Sequence, residues 1–257
     1  MFYRMIATLV TGLLLMANAL PIQRATTYGN TVKLLNSLKD IKDDGQVLGT
    51  LFQKGDARID DLIKALHDPD QKISLRAQIV IRYLGNQTGM KALEEWYSTQ
   101  PEIVRSGPIP IPLSERDYQW INDQSINDAD NYIYALALDG SPRAIAVLAE
   151  MKKKAGGLNE HMFAVQALKR VNISQPQKLL TGGNNPAKLI LRNAFFIDPI
   201  SRPYASTRLL GFNGNRDKAL VEVYINRGRL AEEWYHIVLN KHGEGWKFFS
   251  ITRVAVS

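Results

Sequence analysis

The sequence predicts an α+β protein, with helices along the first two-thirds of the chain and a small antiparallel sheet in the last third. Three observations support this prediction. Apolar residues recur at helical spacing before residue 175, they alternate with polar residues at a period of two after residue 200, and glycine and proline turns separate these segments. The 257 residues, 45% hydrophobic and 22% charged, have the composition of an ordinary globular protein.

The N-terminal segment has the order of a secretory signal peptide. Arg4 supplies a positive charge, residues 5–17 are mostly apolar and uncharged, and Ala17-Asn18-Ala19 offers small residues for cleavage. We therefore expect residues 1–19 to be removed and the protein to be exported, to a bacterial periplasm or to the exterior. An uncleaved anchor is the alternative, although the apolar run is shorter than the about 20 residues of a membrane span. No stable span is expected after cleavage.

The absence of cysteine and the distribution of charge restrict the kinds of functional site that the chain can have. The chain has no cysteine, which excludes disulfides, thiolate metal ligands and a cysteine nucleophile. The net charge is uneven, because residues 176–257 hold 12 basic and 6 acidic residues, whereas residues 20–175 hold 19 of each. The basic C-terminal third could steer an anionic partner, a polysaccharide or a membrane surface. A mildly basic, solvated sheet surface is the plainer interpretation.

The first helices are predicted from one-sided apolar stripes. One helix is expected over Thr31–Phe52, with a break at Gly45. The next stripe consists of Ile59, Leu62, Ile63 and Leu66. Asp68-Pro69 ends that helix because proline cannot continue it. A second stripe runs over residues 73–84 and ends at Gly85, a typical C-terminal residue.

This hairpin, residues 59–85, resembles a HEAT repeat. That family has an Asp-Pro turn between its two helices and an Arg-Ala pair in the second, which match Asp68-Pro69 and Arg76-Ala77. The Val-Arg pair usual after the turn is missing at residues 73–75. The resemblance implies a HEAT-like solenoid over residues 28–174, because a single hairpin cannot bury its own stripe.

Further helices and an insertion complete the predicted helical domain. Helical patterns run over Ala129–Leu138, from Ser141-Pro142, where serine is the expected N-cap, and from Asn159. An irregular insertion over residues 99–125 separates them from the hairpin. Since loops on a rigid scaffold often bind partners, its aromatic residues Tyr118 and Trp120 are predicted contacts. The alternative is a lid that buries its own aromatic side chains.

The C-terminal sheet is predicted to follow a linker over residues 175–186, which contains two prolines and the run Gly182-Gly183-Asn184-Asn185. The sheet domain spans residues 187–257 and starts with a short helix over Pro186–Phe196. Its strands are predicted at Tyr204–Phe212, Lys218–Asn226, Leu230–Asn240 and Trp246–Ser257.

The last two strands, with Glu233–Leu239 and Gly245-Trp246-Lys247, resemble those of cystatin-like or nuclear-transport-factor-2-like domains. In those domains a curved sheet wraps a helix into a cone. The resemblance implies a pocket lined by Tyr224, Trp234 and His236. A packed or edge histidine is the alternative for His236.

No catalytic or metal-binding pattern is present. None of the four histidines has another histidine or a carboxylate at i+4, the metal-ligand spacing on a helix, so neither a metal nor a cofactor is expected. The run of residues 211–215 is interpreted as a turn between strands and not as a strand-to-helix anion site. Arginines near the strand ends, Arg208 and Arg216 among them, suit a nucleic-acid surface, but export argues against that partner.

These observations favour an exported, non-catalytic binding or scaffold protein of the cell envelope or exterior, with a protein or an anionic polymer as its partner. Small-ligand binding or catalysis in a cone-shaped C-terminal pocket is the second hypothesis. A third is salt-sensitive attachment of the basic sheet to an anionic polymer or lipid surface.

Overall fold

The computed structural model describes residues 27–40, 42–99, 109–111, 113–123, 130–154, 179–181, 183–193, 204–226 and 232–256. The predicted signal peptide and the helix predicted from Asn159 lie outside these ranges. Within them the chain is an α+β protein, as the sequence predicts. No helix among the described residues is both long enough and apolar enough to span a membrane.

The C-terminal strands form an antiparallel meander at the predicted positions. The strands are β1 (Ile109–Pro110), β2 (Ala205–Phe212), β3 (Lys218–Asn226), β4 (Glu232–His242) and β5 (Gly245–Val256). Their order in the sheet is β1-β5-β4-β3-β2, so consecutive C-terminal strands are neighbours. The short β1, which the sequence analysis did not predict, pairs with β5 through Ile109 and Ile251.

Helices of the first layer precede β1. They are α1 (27–37), α2 (Gly45–Gly55), α3 (Ile59–Leu66), α4 (Gln71–Leu84) and α5 (Gln87–Ser98). The predicted hairpin is confirmed as α3 and α4, which pack against each other. The Asp70 carboxylate accepts a hydrogen bond from Lys72 N at the start of α4, and Gly85 ends α4 with φ 54°, a left-handed conformation that glycine adopts without strain.

The break predicted at Gly45 in the helix over Thr31–Phe52 comes earlier in the chain, because α1 ends at residue 37 and a turn joins it to α2. The Asp44 carboxylate accepts hydrogen bonds from Lys39 N at 2.6 Å and Asp40 N at 2.9 Å. A side chain that satisfies backbone donors in this way stabilises a turn in competition with the helix. Gly45 begins the second helix and does not interrupt one.

Helices of the second layer are α6 (Glu115–Asp123), α7 (Asp130–Asp139), α8 (Pro142–Lys154) and α9 (Pro186–Asn193). The insertion predicted as irregular therefore contains both β1 and α6. Ser114 and Asp117 cap α6 reciprocally, since Asp117 N donates to Ser114 Oγ and Ser114 N donates to Asp117 Oδ2. Ser141 Oγ accepts from Ala144 N at 3.1 Å and caps α8, as predicted.

The sheet lies between the two helical layers. Leu220 and Val238 join the apolar cluster formed by α1–α5, whereas Val221 and Ile237 join the cluster formed with α6–α9. Adjacent residues of a strand point to opposite faces, so both faces of β3 and β4 are buried. Both clusters thus combine side chains from the N-terminal and C-terminal parts of the chain.

Candidate functional site

A groove of about 550 Å³ lies between α2 and the β2–β3 hairpin. Helix α2 contributes Gln46, Gly49, Thr50 and Gln53, and residues 210–214 with Arg216 form the opposite wall. This volume falls in the range of small-molecule sites, and it also fits a short segment of a polymer. The groove is therefore a candidate binding site.

Two glycines allow the walls of the groove to approach each other. A Cβ atom on Gly49 would lie 2.4 Å from the backbone oxygen of Leu210, and one on Gly211 would lie 3.3 Å from the backbone oxygen of Gly49. The register of β2 against β3 shifts between Leu209 and Gly211, which is a bulge that bends the strand at this contact. The helix thus rests on the strand backbone to backbone.

Asn213 fixes the end of the groove. Its side chain is buried and makes three hydrogen bonds, in which Nδ2 donates to Asp56 Oδ2 at 2.9 Å and to Asp217 Oδ1 at 2.6 Å, and Oδ1 accepts from Lys218 N at 2.8 Å. Asp56 follows α2 directly. One amide therefore ties the end of the helix to both sides of the hairpin turn.

Arg216 has an unusual backbone conformation. With φ 57°, it is the one non-glycine residue with positive φ among the described residues. A left-handed conformation costs an L-residue roughly 1–2 kcal/mol, and such strain is common at functional sites. The guanidinium lies 4.8 Å from the centroid of the Phe212 ring, so the turn holds the cation at the wall of the groove.

The described lining of the groove has a single charged group. Arg216 is accompanied by two exposed amides, Gln46 and Gln53, and by the half-buried hydroxyl of Thr50, and none of the lining residues is acidic. Thr50 Oγ1 donates to the Gln46 backbone oxygen at 3.0 Å, which leaves its lone pairs able to accept a hydrogen bond. The groove can bind an anionic group together with hydroxyl groups.

Tyr118, one of the two aromatic residues predicted as contacts in the insertion, does not line this groove. Tyr118 is only 4% exposed and belongs to the second-layer cluster. Its hydroxyl lies 3.3 Å from Ser141 Oγ, and the Arg143 guanidinium lies 4.1 Å from its ring centroid. This position matches the alternative in which the insertion buries its own aromatics. Trp120 lies on the same helix, and its side chain is outside the described part of the structure.

His236, predicted as a pocket residue, is completely buried between the sheet and α4. Its Nδ1 lies 2.8 Å from the hydroxyl of Tyr83, and its Nε2 lies 3.8 Å from Glu222 Oε2, which also accepts from Arg208 Nη2 at 3.0 Å. Desolvation lowers the pKa of His236, although the nearby Glu222 opposes this shift. The environment therefore favours neutral imidazole.

This burial makes stability depend on pH. The pKa of His236 in the folded state lies below its ordinary value of 6.5, so below pH 6.5 the unfolded state binds the additional proton. We expect the free energy of unfolding to decrease as the pH falls below about 6.5, with a slope of up to about 1.4 kcal/mol per pH unit from this residue. Urea unfolding at several pH values measures the slope, and His236→Gln should remove it. Parallel pH profiles for both proteins would contradict the prediction.

Tyr224 and Trp234 face the same side of the sheet as His236, as their alternation predicts. The two rings are cross-strand neighbours with centroids 5.0 Å apart, and Lys42 Nζ lies 3.7 Å from the Trp234 ring centroid. Both aromatic residues are half-buried. They lie beside the turn that precedes α2 and do not line the groove.

The groove residues were missed in the sequence analysis for identifiable reasons. The turn of residues 211–215 was recognised, and Arg216 was noted among the basic residues, but neither was connected to α2. Gln46 and Gln53 have the polarity expected of a solvated helix face. The usable signal was the pair of glycines, Gly45 and Gly49, one turn apart in a helix, because glycine inside a helix often marks a close contact.

Neither a metal-binding group nor similarity to a known protein assigns a function to the described part of the chain. Among the described residues, no group of three His, Cys, Asp or Glu side chains could hold a metal ion. Comparison with protein-family models, with curated proteins and with solved structures gave no match. The geometry of the groove is therefore the basis for assigning a function.

Proposed function

We propose that this chain is a non-catalytic binding protein that holds an anionic polymer in the groove between α2 and the β2–β3 hairpin. The observation that carries the proposal is the position of Arg216. The turn keeps this residue in a strained backbone conformation, and its guanidinium belongs to a groove whose described lining has no carboxylate. A guanidinium binds acidic groups through two parallel hydrogen bonds.

The lining also supports binding over catalysis. Its side chains are amides, a hydroxyl, apolar groups and one guanidinium, and they include no carboxyl, imidazole or amine group of the kind that usually serves as a general acid or base. General acid–base catalysis requires a group that gains or loses a proton near the working pH. His236 has such a group, but it is fully buried beneath α4 and is not part of the groove.

The charge distribution supports an anionic partner. Residues 176–257 carry 12 basic and 6 acidic residues, and the hairpin that forms one wall belongs to this part of the chain. An excess of positive charge increases the rate at which an anionic partner associates. The proposal includes export, which rests on the pattern of residues 1–19, and a HEAT-like scaffold, which rests on the resemblance of residues 59–85.

The proposal is tested with Arg216→Asn. Asparagine tolerates positive φ, so this variant should fold with a melting temperature at or above that of the original protein. Its affinity for an anionic polymer should fall about tenfold or more, since a charge-assisted hydrogen bond contributes about 1.5–3 kcal/mol. Binding is measured at low salt on immobilised hyaluronate, polyglutamate and polyphosphate.

Lys188→Asn is the matched control, because it removes one positive charge from an exposed position on α9. It should retain the original affinity. The proposal fails if the unmodified protein is retained on none of the three polymers, or if both variants lose affinity to the same extent.

A further inference from the structure

The balance of charged and neutral groups in the groove restricts the type of polymer. Arg216 is the one cation of the described lining. Arg208 lies near Gly45, just beyond the start of the groove, but it is paired with Glu222 at 3.0 Å. A densely charged chain such as a nucleic acid or polyphosphate gains affinity by pairing with many cations. The groove is therefore poorly suited to such a chain and fits one that places a single charge in it.

The neutral polar side chains that line the groove can form hydrogen bonds with hydroxyl groups of a ligand. Gln46, Thr50 and Gln53 follow each other along one face of α2, with Gln46 and Gln53 about 10 Å apart along the helix axis. Each amide can both donate and accept, as a hydroxyl can. A chain with repeated hydroxyl groups would meet a row of matching partners along the helix.

Apolar groups complete the opposite wall. Leu210 and Phe212 line the groove and are half-buried, so the lining combines apolar groups with the amides of α2. A sugar ring combines apolar C–H faces with hydroxyl edges. Both walls of the groove thus have chemistry that suits a saccharide.

We infer that the polymer is a polysaccharide with widely spaced carboxylates, of which one binds Arg216 while hydroxyls bind Gln46, Thr50 and Gln53. The inference rests on the proposed function, and it specifies the class of polymer. A carboxylate carries one negative charge, which the single guanidinium balances.

The inference is tested with three probes and the full chain. Hyaluronate oligosaccharides have a carboxylate on every second sugar, their methyl esters keep the hydroxyls without the charge, and polyglutamate has carboxylates without hydroxyls. Hyaluronate should bind tightest, and each of the other two probes should bind about tenfold or more weakly. The logarithm of the hyaluronate affinity should fall with the logarithm of the salt concentration with a slope on the order of one.

Two variants separate the contributions. The double variant Gln46→Ala/Gln53→Ala changes exposed positions and should weaken hyaluronate binding by a larger factor than polyglutamate binding, because polyglutamate has no hydroxyl groups for the two amides to bind. Arg216→Asn should weaken both. Lys91→Ala, on an exposed position of α5, is a control for loss of a long polar side chain and should change neither.

The outcomes distinguish the two levels of the proposal. If polyglutamate binds as tightly as hyaluronate and the glutamine variant changes nothing, the saccharide inference is wrong while anionic-polymer binding stands. A salt slope of several units with tightest binding to polyphosphate would also overturn it. If no anionic polymer binds in an Arg216-dependent way, both the inference and the proposed function fail.

Discussion

Replacing Asn213 by alanine is expected to lower the free energy of unfolding by about 3 kcal/mol. The side chain is 2% exposed and joins Asp56, Asp217 and Lys218 N by hydrogen bonds of 2.6–2.9 Å. Alanine removes all three hydrogen bonds, which contribute roughly 0.5–1.5 kcal/mol each or more where the partner is charged. Asp217 is exposed and Asp56 keeps its hydrogen bond from Asn86 Nδ2, so the loss comes mainly from the hydrogen bonds themselves and not from buried unpaired groups. Chemical denaturation at pH 7 measures the change.

Asn215→Ala is the matched control for this prediction. Asn215 lies in the same hairpin turn and is exposed, so its replacement should change stability by less than about 0.5 kcal/mol. Polymer binding should weaken only in the Asn213 variant, because the hairpin then loses its connection to α2. Equal stability of the two variants would show that the amide network does not hold the groove together.

Gly49→Ala is expected to destabilise the protein by about 2 kcal/mol, although alanine is the better helix former. Inside an exposed helix the same change stabilises by about 0.5–1 kcal/mol. Here the added methyl group would lie 2.4 Å from the backbone oxygen of Leu210, and that atom belongs to a strand paired with β3. Helix α2 must move away from the sheet, with a cost typical of overpacking, about 1–3 kcal/mol.

Gly29→Ala provides the opposite case. Gly29 lies in α1, is exposed, and has nothing within 4 Å of the position that a Cβ would take. This variant should gain a few tenths to about 1 kcal/mol. The two substitutions are chemically identical, so opposite signs in thermal unfolding would isolate the helix–sheet contact. A gain of stability in both would show that α2 does not rest on β2 at Gly49.

The sequence predicted those elements whose pattern is local. Alternating apolar and polar residues predicted the strands from Ala205 to Val256, and helical spacing of apolar residues predicted the helices on both sides of Pro69. These patterns, like the turn residues between them, can be recognised within a few consecutive residues. Helix α6 also had a local signal, the capping pair Ser114 and Asp117, but the prolines before it suggested an irregular segment.

The groove could not be predicted in the same way, because it depends on contacts between distant residues. Asp56 and Asn213 are 157 residues apart in the sequence, and Gly49 and Leu210, which are also in contact, have a similar sequence separation. Neither residue of such a pair has a local pattern that points to the other. The burial of His236 has the same origin, since its partner Tyr83 is 153 residues earlier in the chain.

The position of the sheet between two helical layers has a consequence for synthesis. A stack of hairpins can fold as it emerges, because each unit contacts only its neighbours. Here α4 and α7 precede the strands, and each belongs to an apolar cluster that β3 and β4 complete. The apolar faces of these helices therefore stay incompletely covered until β3 and β4 have left the ribosome. Folding dominated by such distant contacts is slow and exposed to aggregation, so the order of the elements along the chain favours a long-lived state in which the helical layers lack their partner strands.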